Sequence, residues 1–218
     1  MKSVIAKSLR DIFSKDVILF VIQIGVAAIA LSIAFVWYFW EGLSNFIASY
    51  LSWIPWEWLQ TSGAKVITFA SAYMIFIIIV SLLTSLYSEK LLIKLAQKNY
   101  PQVNVVGSID IPTSIMSTLK SSLLFLVLFI LCIPFLFIPI LGQIVMLYLW
   151  SVLIKEPTTY DVGSLFIVDK KTIKEKTKKT RILAMIASLF NYVPVMNIFA
   201  PIFAQILFLH HILGKEKI

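Results

Sequence analysis

Four long stretches without Asp, Glu, Lys or Arg constrain this chain more than any other feature of its sequence. Each exceeds the roughly 20 apolar residues that a helix needs to cross a bilayer, and they cover residues 17–40, 66–88, 121–154 and 182–214. With 60% hydrophobic and only 14% charged residues, the chain has more apolar surface than a water-soluble core of this size absorbs. The stretches are continuously apolar, whereas a β-barrel needs alternation. We therefore predict an all-α integral membrane protein.

The first two stretches, 17–40 and 66–88, have the length of single transmembrane helices. The first begins after 16 residues and lacks a small-residue cleavage motif, so we expect it to be retained rather than removed as a signal peptide. Neither stretch contains an ionisable Asp, Glu, Lys, Arg or His. Because proton-coupled carriers usually keep such a group inside the membrane, this favours a passive or channel-like path.

Prolines interrupt the third and fourth stretches. As one helix, 121–154 would be about 51 Å long, against a hydrocarbon core of about 30 Å. Splitting the two stretches at their prolines leaves pieces that are too short to cross. We therefore predict two re-entrant helical hairpins, and the alternative is a pair of long spans that are kinked or tilted. The predicted breaks lie at Pro134, Pro139, Pro194 and Pro201.

The distribution of lysine and arginine predicts the topology. Four precede residue 17, one lies between the first two stretches, four fall in 89–120, eight in 155–181 and two in the last five residues. The positive-inside rule places the rich segments in the cytoplasm. We expect one membrane domain over 1–218 with both termini cytoplasmic, and a basic cytoplasmic helix in 155–181 that attracts anionic lipid headgroups. Residues 1–16 are predicted to lie on the membrane surface, with an apolar face of Ile5, Leu9, Ile12 and Phe13.

A weak internal repeat links the two proline-broken stretches. Residues 137–142 match 192–197 in their pattern of apolar residues around a proline. Discontinuous helices in corresponding positions of two repeats point to a transport site, because helix N-termini and unwound backbone there can face a solute. Apolar runs also match one another easily by chance, so the repeat alone leaves both readings open.

Residues in the second half of the chain carry a family resemblance. They are Tyr160-Asp161-Val162, the lysine-rich stretch to Arg181, and the segment 193–201 with its P-x-x-N-x-x-x-P pattern. In these residues, and in the order of its elements, the chain resembles the CysZ-type sulfate transporter family, also known as the etoposide-induced-protein domain family. The resemblance implies two long membrane helices, two half-penetrating hairpins, a homo-oligomer and sulfate uptake across a bacterial inner membrane. One departure concerns the anion site, since Arg10 is followed by Asp11 where the sulfate-transporting members have a second arginine.

An oxyanion requires hydrogen-bond donors away from fixed negative charge, such as guanidinium, backbone N–H or amide groups. The available candidates are Arg10, Lys15, Gly142, Gln143 and Asn197. For Arg10 the favoured explanation is an interfacial cation on an amphipathic helix. The Asn197 amide is explained as a cap for backbone groups that Pro194 and Pro201 leave unpaired.

Other chemistries have little support in the sequence. One cysteine, Cys132, excludes an internal disulfide, and His210 and His211 are predicted to be interfacial residues rather than metal ligands. Asp161 is interpreted as a helix cap after Pro157. We identify no catalytic set, metal site, cofactor or nucleic-acid recognition fold. The hypotheses are an inner-membrane permease for sulfate or a similar anion, or a non-transporting membrane scaffold that keeps the family fold; an enzyme acting on lipid lacks a catalytic group.

Overall fold

A computed structural model describes residues 2–52, 57–136, 138–176, 180–193 and 196–214. Within these ranges the chain forms helices and no strand. They are α1 (Lys2–Ile12), α2 (Lys15–Leu51), α3 (Glu57–Tyr87), α4 (Glu89–Asn99), α5 (Ile111–Leu136), α6 (Leu141–Phe166), α7 (Lys170–Lys176), α8 (Arg181–Ser188) and α9 (Ala200–Leu213), with 3₁₀ turns at Leu189–Tyr192 and Met196–Phe199. The prediction of an all-α membrane protein is confirmed.

Helices α2 and α3 form a long pair. Their 37 and 31 residues correspond to lengths of about 55 and 46 Å. Helix α2 extends beyond residue 40 and α3 begins before residue 66, so residues 52–56 separate the two helices. Both helices continue past the apolar stretches because polar residues such as Ser44 and Asn45 do not end a helix where water replaces lipid.

Helix α9 lies at the centre of the molecule. Every residue from Ala200 to His210 is buried, and His211 is the only part of α9 that is not. Helices α1, α3, α4, α6 and α8 pack around it. A helix that is apolar on all sides is stable only when it is covered on all sides, and here other helices of the same chain cover it.

Two amphipathic helices close one end of α9. Helix α4 continues α3 after a bend of 60° at Ser88, and it buries Leu91, Leu92, Leu95 and Ala96. Helix α1 packs on α9 through Ser8, Asp11 and Ile12. Of the predicted apolar face, Ile12 is buried in this contact, whereas Leu9 and Phe13 remain 40% and 62% exposed. Their exposure suits a helix at a lipid surface.

Both proline-containing stretches reverse the direction of the chain. Helix α6 packs back along α5, with the rings of Phe125 and Trp150 5.2 Å apart. Helix α9 packs back on the preceding segment, with the rings of Phe190 and Phe203 4.6 Å apart. The pieces of the first hairpin are longer than expected, at 26 residues each, because α5 and α6 extend into the polar flanks of the apolar stretch.

The prediction that Pro134 breaks the first hairpin is wrong. Helix α5 continues through residue 134 and ends at Leu136. A proline so close to the C-terminus of a helix removes one backbone hydrogen bond without requiring the helix to end there. The chain reverses instead around Pro139.

By length and composition, three helical segments can cross a membrane. They are Lys15–Ser49, Ile111–Phe129 and Met196–Leu213, and the bent pair Ala72–Tyr87 with Glu89–Asn99 is a fourth if it counts as one span. The molecule is therefore a multi-pass membrane protein. The depth of the two hairpins in the bilayer stays a prediction.

The basic segment 155–181 does not form a single helix. Helix α6 runs through Pro157 to Phe166, and α7 follows as a separate helix. Asp169 caps α7: it accepts hydrogen bonds from the hydroxyl and N–H groups of Thr172 and from the N–H group of Lys171. These bonds, led by that of the Thr172 hydroxyl, hold the pKa of Asp169 below its ordinary value.

The connection between α4 and α5 lies against the end of α6. The N–H group of Val106 donates a 2.9 Å hydrogen bond to the carbonyl of Leu165. The next residue is Gly107, and a Cβ atom there would lie 2.4 Å from the backbone oxygen of Ser164. Only glycine permits this approach.

We expect Gly107→Ala to lower the midpoint of thermal unfolding in detergent. The added methyl group forces the connection away from α6, which weakens a backbone hydrogen bond worth about 0.5–1.5 kcal/mol. Gly42→Ala is the matched control, because nothing lies within 4 Å of a Cβ at residue 42 and alanine favours helix. Equal midpoints for the two variants would contradict the close contact.

Candidate functional site

The first hairpin break is a tight turn with a strained residue. Ile140 has φ 67° and ψ −53°, and the N–H group of Leu141 donates a 2.8 Å hydrogen bond to the carbonyl of Pro139. This is the positive-φ form of the γ-turn, which is rare. A β-branched residue there costs on the order of 1–3 kcal/mol. The two candidate residues in the first turn of α6 differ, since Gly142 is buried and the Gln143 side chain is exposed.

The second break contains a buried amide. Asn197 lies in a 3₁₀ turn, is 3% exposed, and its Nδ2 donates a hydrogen bond to the hydroxyl of Tyr73 on α3. Because Nδ2 bonds a side chain, the interpretation of the Asn197 amide as a cap for backbone groups is wrong for this nitrogen. Its Oδ1 is buried without a partner in the described part of the chain. Pro201 is at the start of α9, where proline is favoured, and Pro194 lies outside the described residues.

The two breaks contact each other. The hydroxyl of Tyr192, just before the second break, donates a hydrogen bond to the backbone carbonyl of Gln143. Ile198 lies against α2, because a Cβ at Gly25 would be 3.6 Å from its side chain. Gln143 and Asn197 thus belong to one region of the molecule, where the tips of both hairpins meet the α2–α3 pair.

Arg10 and Lys15 lie elsewhere. Both side chains are exposed, at the junction of α1 and α2. The junction is next to the C-terminal end of α9, where Asp11 contacts His210. The breaks are at the N-terminal end of α9, and the ten helical steps from Ala200 to His210 span about 15 Å. The five predicted anion-binding residues therefore do not form one site.

A buried polar cluster that was not predicted from the sequence lies at the C-terminal end of α9. His210 is fully buried, with Nε2 3.1 Å from Asp11 Oδ2 and Nδ1 3.0 Å from the Tyr100 hydroxyl. Asn99 Nδ2 donates a 2.8 Å hydrogen bond to the same Asp11 oxygen. The expectation of an interfacial His210 is wrong, because α1 and α4 cover this end of α9. Burial, and then the charge of Asp11, raise the pKa of Tyr100.

We expect Asp11→Ala to release α1 from α9. The substitution leaves the buried His210 and Asn99 without their shared acceptor, at a cost of about 1–3 kcal/mol. Trypsin should then cleave after Lys7 and Arg10 faster than in the wild type, and the thermal midpoint should fall. Asp16→Ala is the control, since Asp16 forms an exposed ion pair with Lys94 at 2.8 Å. Unchanged cleavage in Asp11→Ala would show that the cluster does not hold α1.

A second polar cluster surrounds Asp161, and the interpretation of Asp161 as a helix cap is wrong. Helix α6 runs straight through Pro157, so Asp161 lies inside the helix, where it is 1% exposed. Its carboxyl group contacts three other helices. Ser85 of α3 contacts Oδ2, Ser114 of α5 lies 2.8 Å from Oδ1, and Gln205 Nε2 of α9 donates at 3.4 Å to Oδ2.

Arg181 is a half-buried cation that the sequence analysis counted only as part of the basic segment. Its guanidinium group lies 5.3 Å from the ring centre of Tyr148 and 3.5 Å from the Ser151 hydroxyl, both on α6. Among the described residues, no carboxylate pairs with it. The signal in the sequence that could have identified Arg181 was its position directly before the apolar stretch 182–214.

The described part of the chain holds no group of three or more His, Cys, Asp or Glu side chains arranged to bind a metal ion. Cys132 is a free thiol. The polar clusters consist mainly of hydroxyl, amide and single carboxyl groups. Such groups can bind water, small ions or protons through hydrogen bonds.

Comparison with known families gives one match. The family described as sulfate transporter CysZ/etoposide-induced protein 2.4 matches residues 4–201 of the 218-residue chain. The matched range includes Asp11 of the first polar cluster and Ser85, Ser114 and Asp161 of the second. It also includes both hairpin breaks. No curated protein and no solved structure matches the chain.

Proposed function

Because this chain belongs to the family of the sulfate transporter CysZ and etoposide-induced protein 2.4, we propose that it is a permease or channel-like transporter for sulfate or a similar small oxyanion. The observation that carries the proposal is a family match that extends over nearly the whole chain. It favours a transporter over an enzyme. The remaining support is the geometry of the hairpins and of Arg181.

The first support is the position of the hairpin tips along the α2–α3 pair. Ile198 lies beside Gly25, ten residues after the start of α2, which corresponds to about 15 Å. Asn197 bonds Tyr73, fourteen residues before the end of α3, which corresponds to about 21 Å. If α2 begins and α3 ends at the cytoplasmic surface, the tips lie near the middle of a core about 30 Å thick. Two re-entrant hairpins fit this depth.

The second support is the placement of polar groups where α6 meets the segment that precedes α9. Arg181 lies beside Tyr148 and Ser151, and one to two turns further along α6 Gln143 meets Tyr192 at the tips. A guanidinium group without a carboxylate partner is suited to an oxyanion, because it offers a fork of charged donors. We propose that the anion contacts Arg181 and the tip residues Gln143 and Asn197. The N–H group of Gly142 already donates a 2.8 Å hydrogen bond to the carbonyl of Ile138, so Gly142 has a structural role at the tip. The exposed Arg10 and Lys15 attract anions to the membrane surface.

The distribution of basic residues along the chain supports a proposal about its location and orientation. We propose an inner-membrane location in a bacterium, with both termini in the cytoplasm and the basic residues of 155–181 against anionic headgroups. Large apolar side chains remain exposed on α2, including Ile33, Trp37 and Tyr38. These faces suit lipid or a second copy of the chain, and we propose a homo-oligomer.

One observation favours the second hypothesis, a membrane scaffold that does not transport. Asp11 stands where the sulfate-transporting members have a second arginine, and it bonds His210 and Asn99. The position therefore carries a negative, buried and structural side chain in place of an anion contact. A transporter of this family without that arginine has to bind its anion elsewhere, which is the role proposed for Arg181.

We expect proteoliposomes containing the purified protein to take up labelled sulfate faster than empty vesicles. Arg181→Gln and Asn197→Leu should each reduce the uptake at least about tenfold, since a hydrogen bond to a charged group is worth about 1.5–3 kcal/mol. Lys171→Gln is the control, because it removes the same charge from an exposed position of α7. Wild-type uptake equal to that of empty vesicles would favour the scaffold, and equal losses in Arg181→Gln and Lys171→Gln would exclude a specific role for Arg181.

Single cysteines in a Cys132→Ala background test the topology. We expect a membrane-impermeant maleimide to label Ser44→Cys in intact cells, and to label Lys171→Cys only after permeabilisation. Ile140→Cys, at the first hairpin tip, should not react from outside although residue 140 is 77% exposed. Labelling of residue 140 from outside would indicate a full span, and labelling of residue 171 would overturn the orientation.

A further inference from the structure

The Asp161 cluster has a property that the proposed transport path does not use. It joins α3, α5, α6 and α9 at one point, and its carboxyl group is isolated from other charges. A cavity lies beside Asp161 and is lined by residues of the same four helices. These residues are Ser81 and Ser85 of α3, Thr118 of α5, Leu153, Ile154, Pro157 and Thr158 of α6, and Pro201 and Gln205 of α9. None of these side chains titrates. The nearest charged residues along α6, Lys155 and Glu156, pair with each other at 2.8 Å.

Three oxygen contacts form a closed ring in this cluster. Ser85 Oγ contacts Asp161 Oδ2, Ser85 Oγ lies 2.7 Å from Ser114 Oγ, and Ser114 Oγ lies 2.8 Å from Asp161 Oδ1. Each contact is within hydrogen-bond distance, so each requires one proton between its two oxygens. Each serine hydroxyl supplies one proton, and a carboxylate supplies none.

A carboxylate therefore leaves the ring one proton short. If both serines donate to the Asp161 oxygens, Ser85 Oγ and Ser114 Oγ face each other at 2.7 Å with no proton between them. A protonated carboxyl group supplies the third proton. Asp161 then donates from Oδ1 to Ser114, Ser114 donates to Ser85, and Ser85 donates to Oδ2, which also accepts from Gln205 Nε2.

Burial favours the same protonation state. A carboxylate that is nearly inaccessible to water loses its hydration and needs a cationic partner in exchange. Among the described residues, none of the groups that contact Asp161 is a cation. We propose that Asp161 is a proton-binding site, in which a bound proton completes the hydrogen-bond ring that holds α3, α5, α6 and α9 together.

The surroundings of the ring fit a proton that exchanges. The cavity has a volume of about 20 Å³, enough for one water molecule. Gln205 lines the same cavity, and its Oε1 is buried without a partner in the described part of the chain. A water molecule there can donate to Gln205 Oε1 and exchange protons with the carboxyl group.

Loss of the proton has a structural consequence. It places a negative charge on Asp161, where the four helices meet. It also leaves one of the three ring contacts without a proton, so at least one serine has to move away. Pro201, at the start of α9, lines the same cavity and follows directly after the second hairpin break. The protonation of Asp161 therefore controls how tightly α9 packs against α3 and α6. The expectation of a path without an ionisable group rested on 17–40 and 66–88 alone, and Asp161 lies outside both.

Infrared spectroscopy of the purified protein in lipid tests the proposal without any measurement of transport. At about pH 6, exposed carboxyl groups with a pKa near 4 are almost fully ionised. We expect the wild type to retain the C=O band of a protonated carboxyl group at this pH, and Asp161→Asn to lack it. Asp169→Asn is the control, because it removes an exposed carboxylate and should leave the band unchanged. Identical bands in the wild type and Asp161→Asn would overturn the proposal.

Two further measurements keep the test decisive. Ser114→Ala removes one member of the ring, so the band should shift in frequency while remaining present; an unshifted band would exclude the ring even if Asp161→Asn failed to fold. Replacing choline chloride by sodium chloride should leave the wild-type band unchanged. Loss of the band in sodium would show that a metal cation occupies the site in place of the proton.

Discussion

The complete enclosure of α9 is the constraint on which the rest of the structure depends. A helix with apolar residues on every side gains stability only where all of its surface is covered, and five other helices are arranged to cover it. Three polar side chains then fix its position: Asn197 just before it, Gln205 within it and His210 near its end. Each bonds a different partner, Tyr73, Asp161 and Asp11. Because these bonds lie in apolar surroundings, a shift of α9 along its axis would break all three at once.

The sequence predicted the class of protein and the places where the chain turns back. Continuous apolar stretches report lipid or core contact directly, and prolines mark breaks, as Pro139 does. The limits of the helices were less predictable, because charged and polar flanks such as Lys120 and Lys155 end an apolar stretch without ending a helix. Pro134 and Pro157 were misread for a related reason, since long helices held by tertiary contacts tolerate a missing hydrogen bond.

The polar clusters were beyond sequence reasoning. Asp11 and His210 are 199 residues apart, and Ser85, Ser114, Asp161 and Gln205 come from four helices. No local spacing connects such residues, and each alone has an ordinary explanation as a cap or an interfacial group. Only the packing of α9 brings them together. The same holds for Arg181, whose lack of a carboxylate partner is a property of the fold and not of its neighbours in sequence.

Helices α3 and α4 form a continuous pair that is bent by 60° at Ser88. One arm carries Tyr73, which holds the second hairpin break, and the other ends at Asn99, which bonds Asp11 beneath the opposite end of α9. A rotation of this bent pair about Ser88 would displace both contacts together. The bent pair therefore connects the second hairpin break mechanically to the N-terminal helix, by a path that does not run through α9.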